Sequence, residues 1–384
     1  MDMPDRMKTD VLIVGSGPAG STAARYVAAK GVNVTVLERR KAVGVPVRCG
    51  ELIPSNEEIS NMFPNAGDIS SLFDIPRGLI QRNITGIDLI DPKGRNTPLE
   101  FTGYTTDRDR FDQYLMSEAE KEGAEILMEC QFLRSEKNVA MTTLGEIEYK
   151  IIVGADGPGS RVAKSLGLPK NMHLYPAVTA QAKGDFDSHV KMFFGGIAPG
   201  AYGWIIPKSG QANVGIGFSP KFANGTLGEY FEKFAKKHDL DIISKTEGKF
   251  VPSEGMISDL VHDNGMVVGD AAGQVISVNG GGIPLALIAG QICGDVAADG
   301  VKNGTSLARY QEECEKVFRR PLSIAAKNKR LADTFAFGSD KRTALCMSLL
   351  GNRRMGKLIR CKKLFPLSFL SACFHTRSAD RAFG

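Results

Sequence analysis

An apolar run at Val11-Leu-Ile-Val14 breaks into glycines, takes up helical spacing after Pro18, and is followed by a second apolar run, Asn33-Val-Thr-Val-Leu-Glu38. That order predicts a β-α-β unit over residues 10–38. Residues 41–60 read as a loop and a short helix. Apolar and polar positions alternate on both sides of Asp91-Pro-Lys-Gly94, so 83–103 predicts a hairpin. Phe111, Tyr114 and Leu115 share one face of a helix over 107–122, with Gly123 as its stop. Short strands are predicted at 124–129, 138–143, 146–149 and 151–154, several more across 175–218, a helix at 226–238 and a strand at 266–268. From 283 onward the period is helical, with breaks expected at Pro321, Gly338, Gly351 and Pro366. No run of about 18 apolar residues occurs, so no segment is expected to cross a bilayer.

The first strand runs into Gly15-Ser-Gly-Pro-Ala-Gly20, which has the spacing of a dinucleotide fingerprint. Gly15 permits a tight turn, Gly17 leaves bare backbone for a pyrophosphate, and Gly20, after Ala19, lets the helix lie close on the strand. Glu38 ends the second strand where a carboxylate accepts from a ribose 2′-hydroxyl and repels a 2′-phosphate. The pattern therefore fits FAD or NAD rather than NADP. A second segment, Val267-Val-Gly-Asp-Ala-Ala-Gly273, followed by Gly280-Gly-Gly-Ile-Pro284 and a helical run, returns the chain to the same nucleotide. A cofactor contacted by both ends of a chain is long and extended, which favours FAD. Asp270 is placed to accept from ribityl hydroxyls. Gly281, Gly282 and Ile283 are placed to present backbone N–H groups and a positive helix end to the flavin. The alternative is an ordinary strand-to-helix connection. The expected architecture is α/β. A doubly wound, Rossmann-like FAD-binding domain comprises 1–82, 104–170 and 262–300. A mostly antiparallel substrate-binding sheet is inserted as 83–103 and 171–261, and a basic helical region follows at 301–384.

Charge is unevenly spread. The net charge is +5 over 384 residues, yet 320–384 alone carries 14 Lys or Arg against 3 Asp or Glu. A basic tail on an acidic body points to an anionic partner. Lys362 and Lys363 precede the apolar cluster Leu364-Phe-Pro-Leu-Ser-Phe-Leu-Ser-Ala-Cys-Phe374, and base-stacking aromatics are few among the charges. The tail is read as a peripheral membrane contact and not as a nucleic-acid surface, its alternative being a solvated helical face. His375 is placed there to meet a lipid phosphate. Seven scattered cysteines show no metal spacing and argue for a reducing cytoplasm, with a bridge among the four after residue 300 left open. The acids at the N-terminus and the lack of a long apolar stretch there predict no secretory signal.

The fingerprint, Gly154-Ala-Asp-Gly157 and Val268-Gly-Asp-Ala-Ala-Gly273 together resemble the FAD-dependent para-hydroxybenzoate hydroxylase superfamily. Within it, Val47-Arg-Cys-Gly-Glu51 and Tyr202-Gly-Trp-Ile-Ile-Pro207, the latter followed by Gly215-Ile-Gly217, are similar to the geranylgeranyl reductase family. Ile206 stands where that family's pattern has Phe. The resemblance implies a loop at Arg48, Cys49 and Gly50 passing the isoalloxazine ring. Cys49 is then a candidate proton donor, or failing that a structural thiol. It implies FAD contacts at Arg108, Phe132 and Asp156. Tyr202, Trp204 and Ile206 alternate on one strand face, which builds an apolar substrate wall if it looks toward the flavin and plain core if it does not. The implied reaction is FAD-dependent saturation of geranylgeranyl chains on archaeal-type glycerophospholipids. The alternatives are an aromatic monooxygenase and a non-catalytic lipid-binding flavoprotein. One fingerprint leaves the electron donor open among NAD(P)H, ferredoxin or another carrier.

Overall fold

The computed structural model describes residues 7–364. Among those residues the first sheet has eight strands, and its centre is parallel. Met7–Val14 lies between Val34–Leu37 and Gly145–Gly154, with Val11 opposite both Val34 and Ile151. Gly265–Val267 joins the far side of Gly145–Gly154, again parallel. Val11, Leu12 and Ile13 are fully buried, as a strand covered on both faces must be. On one face the helices Pro18–Ala29 and Ile283–Asn303 pack against each other. A Cβ at Gly294 would stand 2.5 Å from the Ala23 carbonyl oxygen, so only glycine permits this approach. The expectation of no membrane-length apolar segment needs correction. Ile283–Asn303 is long and apolar enough to cross a bilayer, but 72% of its apolar window is buried against the protein, which accounts for its composition.

Among the described residues the second sheet has nine strands. It is antiparallel except where His189–Phe193 runs parallel to Ile80–Ile90. The expected hairpin is present as Ile80–Ile90 and Asn96–Thr106. The sheet also takes in Leu52–Pro54, outside the expected 83–103 and 171–261, through pairing with Asn96–Thr106. The helix Asp340–Ile359 covers one face, burying Met347, Leu350, Met355 and Ile359 with Ile84, Ile87 and Met192. Leu227–Lys237 covers the other with Phe231 and Phe234.

Several local expectations change. The strands predicted at 146–149 and 151–154 are one continuous strand, and Phe132–Glu136 is a strand the periodicity missed. Glu247–Pro252 is a further unforeseen strand, on the edge beside Leu174–Lys183. Pro321 does not break the chain. It follows directly on a π-helical turn at Glu315–Arg319, whose wider hydrogen-bonding pattern lets the helix run on into Arg320–Phe335 without a break. Gly338 and Gly351 do break it, with φ of 108° and 61°. Pro366, Cys373 and His375 lie outside the described residues. Cys314 and Cys361 are free thiols.

Candidate active site

A cavity of about 880 Å³ lies between the two sheets and extends beneath the C-terminal helices. Its first end is made from backbone. Gly15 has φ of 105°, and a Cβ there would stand 2.4 Å from the Ala155 carbonyl oxygen. A Cβ on Gly20 would stand 1.9 Å from the Gly15 oxygen, whereas one on Gly17 would meet nothing within 4 Å. Gly17, Ala19 and Gly15 all line the cavity, so the turn leaves an open cradle at the start of the Pro18–Ala29 helix. Glu38 is buried beside it. Its carboxylate accepts from Ser16 Oγ at 2.5 Å and from the Arg40 N–H at 2.9 Å.

Asp156 lines the same end. One carboxylate oxygen accepts from the N–H groups of Arg161 and Val162, at 2.7 and 3.3 Å, and the other is buried with no protein partner. Burial pushes its pKa up, against those hydrogen bonds. The Phe132 ring is core, but its carbonyl accepts from Arg161 Nη1 at 3.1 Å and the residue borders the cavity. Arg108 is held bidentately by Asp112 at 2.7 and 2.8 Å. Burial pulls against its charge, and Asp112 and the nearby Cys49 outweigh it, so the guanidinium pKa lies above its ordinary value.

Farther along, the edge strand Glu247–Pro252 reaches across with two opposite charges. Glu247 pairs with Arg48 at 3.3 Å and Lys249 with Asp270 at 2.5 Å. Nothing in the sequence singled out Glu247 or Lys249, because the strand that places them was not predicted. Gly282 caps the Ile283–Asn303 helix, and the Gly281 N–H donates to Asn279 Oδ1 at 3.0 Å. The first turn of this helix leaves N–H groups without helical partners, next to Asp270.

The other end is made from side chains. Tyr202, Trp204 and Ile206 all face the cavity. Beyond them Ile87, Phe101, Val190 and Met192 face Met347, Leu350 and Met355 across an apolar arm. The glycine of the Gly-x-Gly element has a steric reason: a Cβ on Gly215 would stand 2.2 Å from the Trp204 ring. The Tyr202 hydroxyl is not free for substrate. It donates to the Asn279 carbonyl, tying the second sheet to the glycine loop, and burial pushes its pKa up. Cys49 is half-buried, and a Cβ on neighbouring Gly50 would lie 2.9 Å from Ile206 Cδ1, so the loop rests directly on the apolar wall. The sequence reading missed the buried polar hub behind this loop. Glu51 accepts from Lys208, Asn213, Gln181 and the Arg108 N–H, and Lys208 also pairs with Asp107. The available signal was position: Glu51 closes the Cys49 motif and Lys208 follows the Trp204 motif.

A family model described as the geranylgeranyl reductase catalytic domain matches residues 175–250, and a Thi4 family model matches residues 1–55. Digeranylgeranylglycerophospholipid reductase 3 of Methanosphaera stadtmanae is 33% identical over 378 residues, covering 91% of this chain and 93% of that one. The corresponding reductase of Methanocaldococcus jannaschii is 34% identical, covering 81% of each. A geranylgeranyl bacteriochlorophyll reductase-like protein from Thermoplasma acidophilum superposes with a TM-score of 0.81 at 25% identity over 96% of both chains. A flavin-dependent brominase shares the fold at a TM-score of 0.68 and 16% identity, covering 98% of this chain and 99% of that one. Relatedness at this level over nearly the whole length, in a chain whose fingerprint, thiol loop and aromatic strand border a single cavity, places it in the digeranylgeranylglycerophospholipid reductase family.

Proposed function

We propose that this protein is an FAD-dependent oxidoreductase that saturates the isoprenoid double bonds of geranylgeranyl chains carried on glycerophospholipids. The observation that carries the reading is the continuity of the cavity: a backbone-lined dinucleotide cradle opens without interruption onto an apolar arm. The residues fit FAD. Gly17 leaves room for a pyrophosphate, Glu38 stands at the ribose position, and the partnerless oxygen of Asp156 offers a buried acceptor. Asp270 and the Gly281–Ile283 helix start lie where the second half of an extended cofactor would reach, with the positive helix end favouring negative charge. When bound there, FAD supplies hydride chemistry.

The protein's own residues do the rest. An isolated alkene carries no carbonyl to polarise it, so a proton must be available at one carbon as hydride reaches the other. Cys49 Sγ is the candidate proton donor at the floor of the slot, and the Glu51 N–H donates to the sulfur at 3.3 Å. Trp204 and Ile206 press the hydrocarbon against that floor and exclude water. The apolar arm accepts the remainder of the chain. Exposed basic residues of the last helices, including Arg330, Lys341, Arg353 and Lys357, favour an anionic membrane surface on the cytoplasmic side as the place where substrate is met.

The test is anaerobic incubation of dithionite-reduced, FAD-loaded protein with digeranylgeranylglycerophospholipid, followed by mass spectrometry. Mass gains in steps of two hydrogens are expected. Oxygen-dependent hydroxylation with NADPH consumption would make the protein a monooxygenase instead, and an unchanged lipid would leave only a lipid-binding flavoprotein.

A further inference from the structure

The Cys49 loop and the Trp204 strand belong to different parts of the chain, and one side chain joins them. Asn213 is fully buried on the strand Gln211–Gly217. Its Nδ2 donates to the Cys49 carbonyl at 2.8 Å and to Glu51 Oε2 at 2.9 Å. Its Oδ1 accepts from Trp204 Nε1 and from Thr179 Oγ1, both at 2.8 Å. These four bonds use the whole hydrogen-bonding capacity of an amide. They also fix its orientation. A flipped amide would face its oxygen to a carboxylate and a carbonyl, and its NH₂ to an indole N–H.

The hub behind it is stiff. Glu51 Oε2 also accepts from Lys208 Nζ at 2.9 Å and from Gln181 Nε2 at 2.7 Å. Burial draws the Lys208 pKa down, but Glu51 and Asp107 outweigh it and hold it above the ordinary lysine value. The ammonium therefore stays charged and keeps Glu51 in place. Asn213 thus spans from a charge-locked hub to the two walls of the slot, and the Gly50 contact with Ile206 leaves no slack between them.

We propose that Asn213 is the positioning residue of the slot, setting the separation of Cys49 from Trp204 so that a chain lying on the indole has its double bond within reach of the thiol. The inference rests on the reductase reading given above. Asn213 itself touches neither substrate nor thiol sulfur, and it acts through the Cys49 backbone and the Trp204 ring.

The closing experiment compares wild type, Asn213→Leu and the milder Thr179→Val, which leaves Asn213 in place but removes one anchor of its oxygen. The chain contains a single tryptophan, so a ¹⁵N-labelled sample gives one indole N–H resonance, a direct report on the Trp204 bond. In FAD-loaded, folded Asn213→Leu, that resonance is expected to move upfield and exchange faster with solvent. kcat should fall about 100-fold, the scale of a misplacement near 1 Å, with KM within about threefold because the apolar arm still binds the chain. Thr179→Val should shift both readouts in the same direction, with kcat about three- to fivefold down. A role confined to stability would lower the melting temperature and the folded yield while sparing kcat per loaded site. An unmoved indole signal, or kcat within threefold of wild type in Asn213→Leu, overturns the proposal. If Asn213→Leu does not fold, Thr179→Val decides alone, and a wild-type rate with an unchanged signal overturns it. Should the wild type reduce no lipid, the reductase reading fails, and the indole resonance together with the alkylation rate of Cys49 still judges the clamp.

Discussion

The two ends of the cavity are built from different materials. At the dinucleotide end the wall is largely backbone: Gly15, Gly17 and Gly280–Gly282 line the cavity, Gly17 leaves space where a side chain would stand, and Gly15 and Gly20 pack too closely to carry one. At the apolar end the walls are side chains from at least three strands and the helical segments on either side of Gly351, among them Ile87, Met192, Trp204 and Leu350. Backbone recognition tolerates few spellings, because only glycine provides both the torsion and the clearance. Apolar volume tolerates many, because hydrophobic side chains of similar size exchange with modest loss. Mutations at the first end should therefore act all or none, and those at the second should tune.

The largest effects separate Gly20 from Gly17. Gly20→Ala puts a methyl group 1.9 Å from the Gly15 oxygen, where neither backbone can yield. Loss of about 3–5 kcal/mol is expected, read as failure to recover folded protein or a collapse of the melting temperature. Gly17→Ala meets nothing within 4 Å, so the cofactor-free protein should keep its stability to within about 0.5 kcal/mol. Its affinity for FAD should nevertheless drop about 100-fold, because the methyl occupies the pyrophosphate's space. Equal stability losses in both variants would show that the cradle is merely structural.

The same contrast explains what was legible in the sequence. The strand-glycine-helix start and the Gly269–Gly273 return were readable because steric necessity leaves a spaced signature. The hairpin about Asp91–Gly94 and the helix Arg108–Lys121 were readable from period alone. The edge strand Glu247–Pro252 was not, since Gly248, Pro252 and the charges at Glu247 and Lys249 match an exposed loop until Leu174–Lys183 pairs with it. Its Glu247 and Lys249 were lost with it. The Glu51 hub was hidden for a different reason. Glu51, Asp107, Gln181, Lys208 and Asn213 are scattered over more than 160 positions, and only the topology of the second sheet gathers them. Tyr202 shows a third limit: its strand face was readable, but not that the Asn279 carbonyl takes its hydroxyl.

At the apolar end a single bulky substitution should sharpen the comparison without touching the cofactor. Met355 lines the cavity and is nearly buried in the cluster between sheet and helix. Met355→Trp shortens the arm at a cost of about 1–3 kcal/mol for overpacking. FAD titration should give the wild-type affinity, while product mass spectra should lose the most reduced species, with those steps slowed about tenfold. Uniform slowing of every reduction step would mean that Met355 borders no part of the path taken by the chain.

The smallest expected effect concerns Asp156, where stability and binding should move in opposite directions. Its pKa is raised by burial, so the folded state holds the proton to a higher pH than the unfolded chain, which releases it near pH 4. As pH rises above that point the unfolded state binds fewer protons than the folded one, and stability falls. Asp156→Asn removes this dependence. Its side-chain oxygen can still accept from the N–H groups of Arg161 and Val162, which preserves the helix start. The cofactor-free variant should therefore be more stable than wild type by about 1 kcal/mol at pH 7, with the difference vanishing as pH approaches 4. Its FAD affinity should fall about tenfold, because the partnerless carboxylate oxygen that suits a hydroxyl donor becomes an amide NH₂. Denaturant melts across pH and flavin titrations read the two effects separately. A variant destabilised at pH 7 with unchanged affinity would mean that Asp156 serves the Asp-Gly turn alone, and would move the boundary of the cofactor end away from that turn.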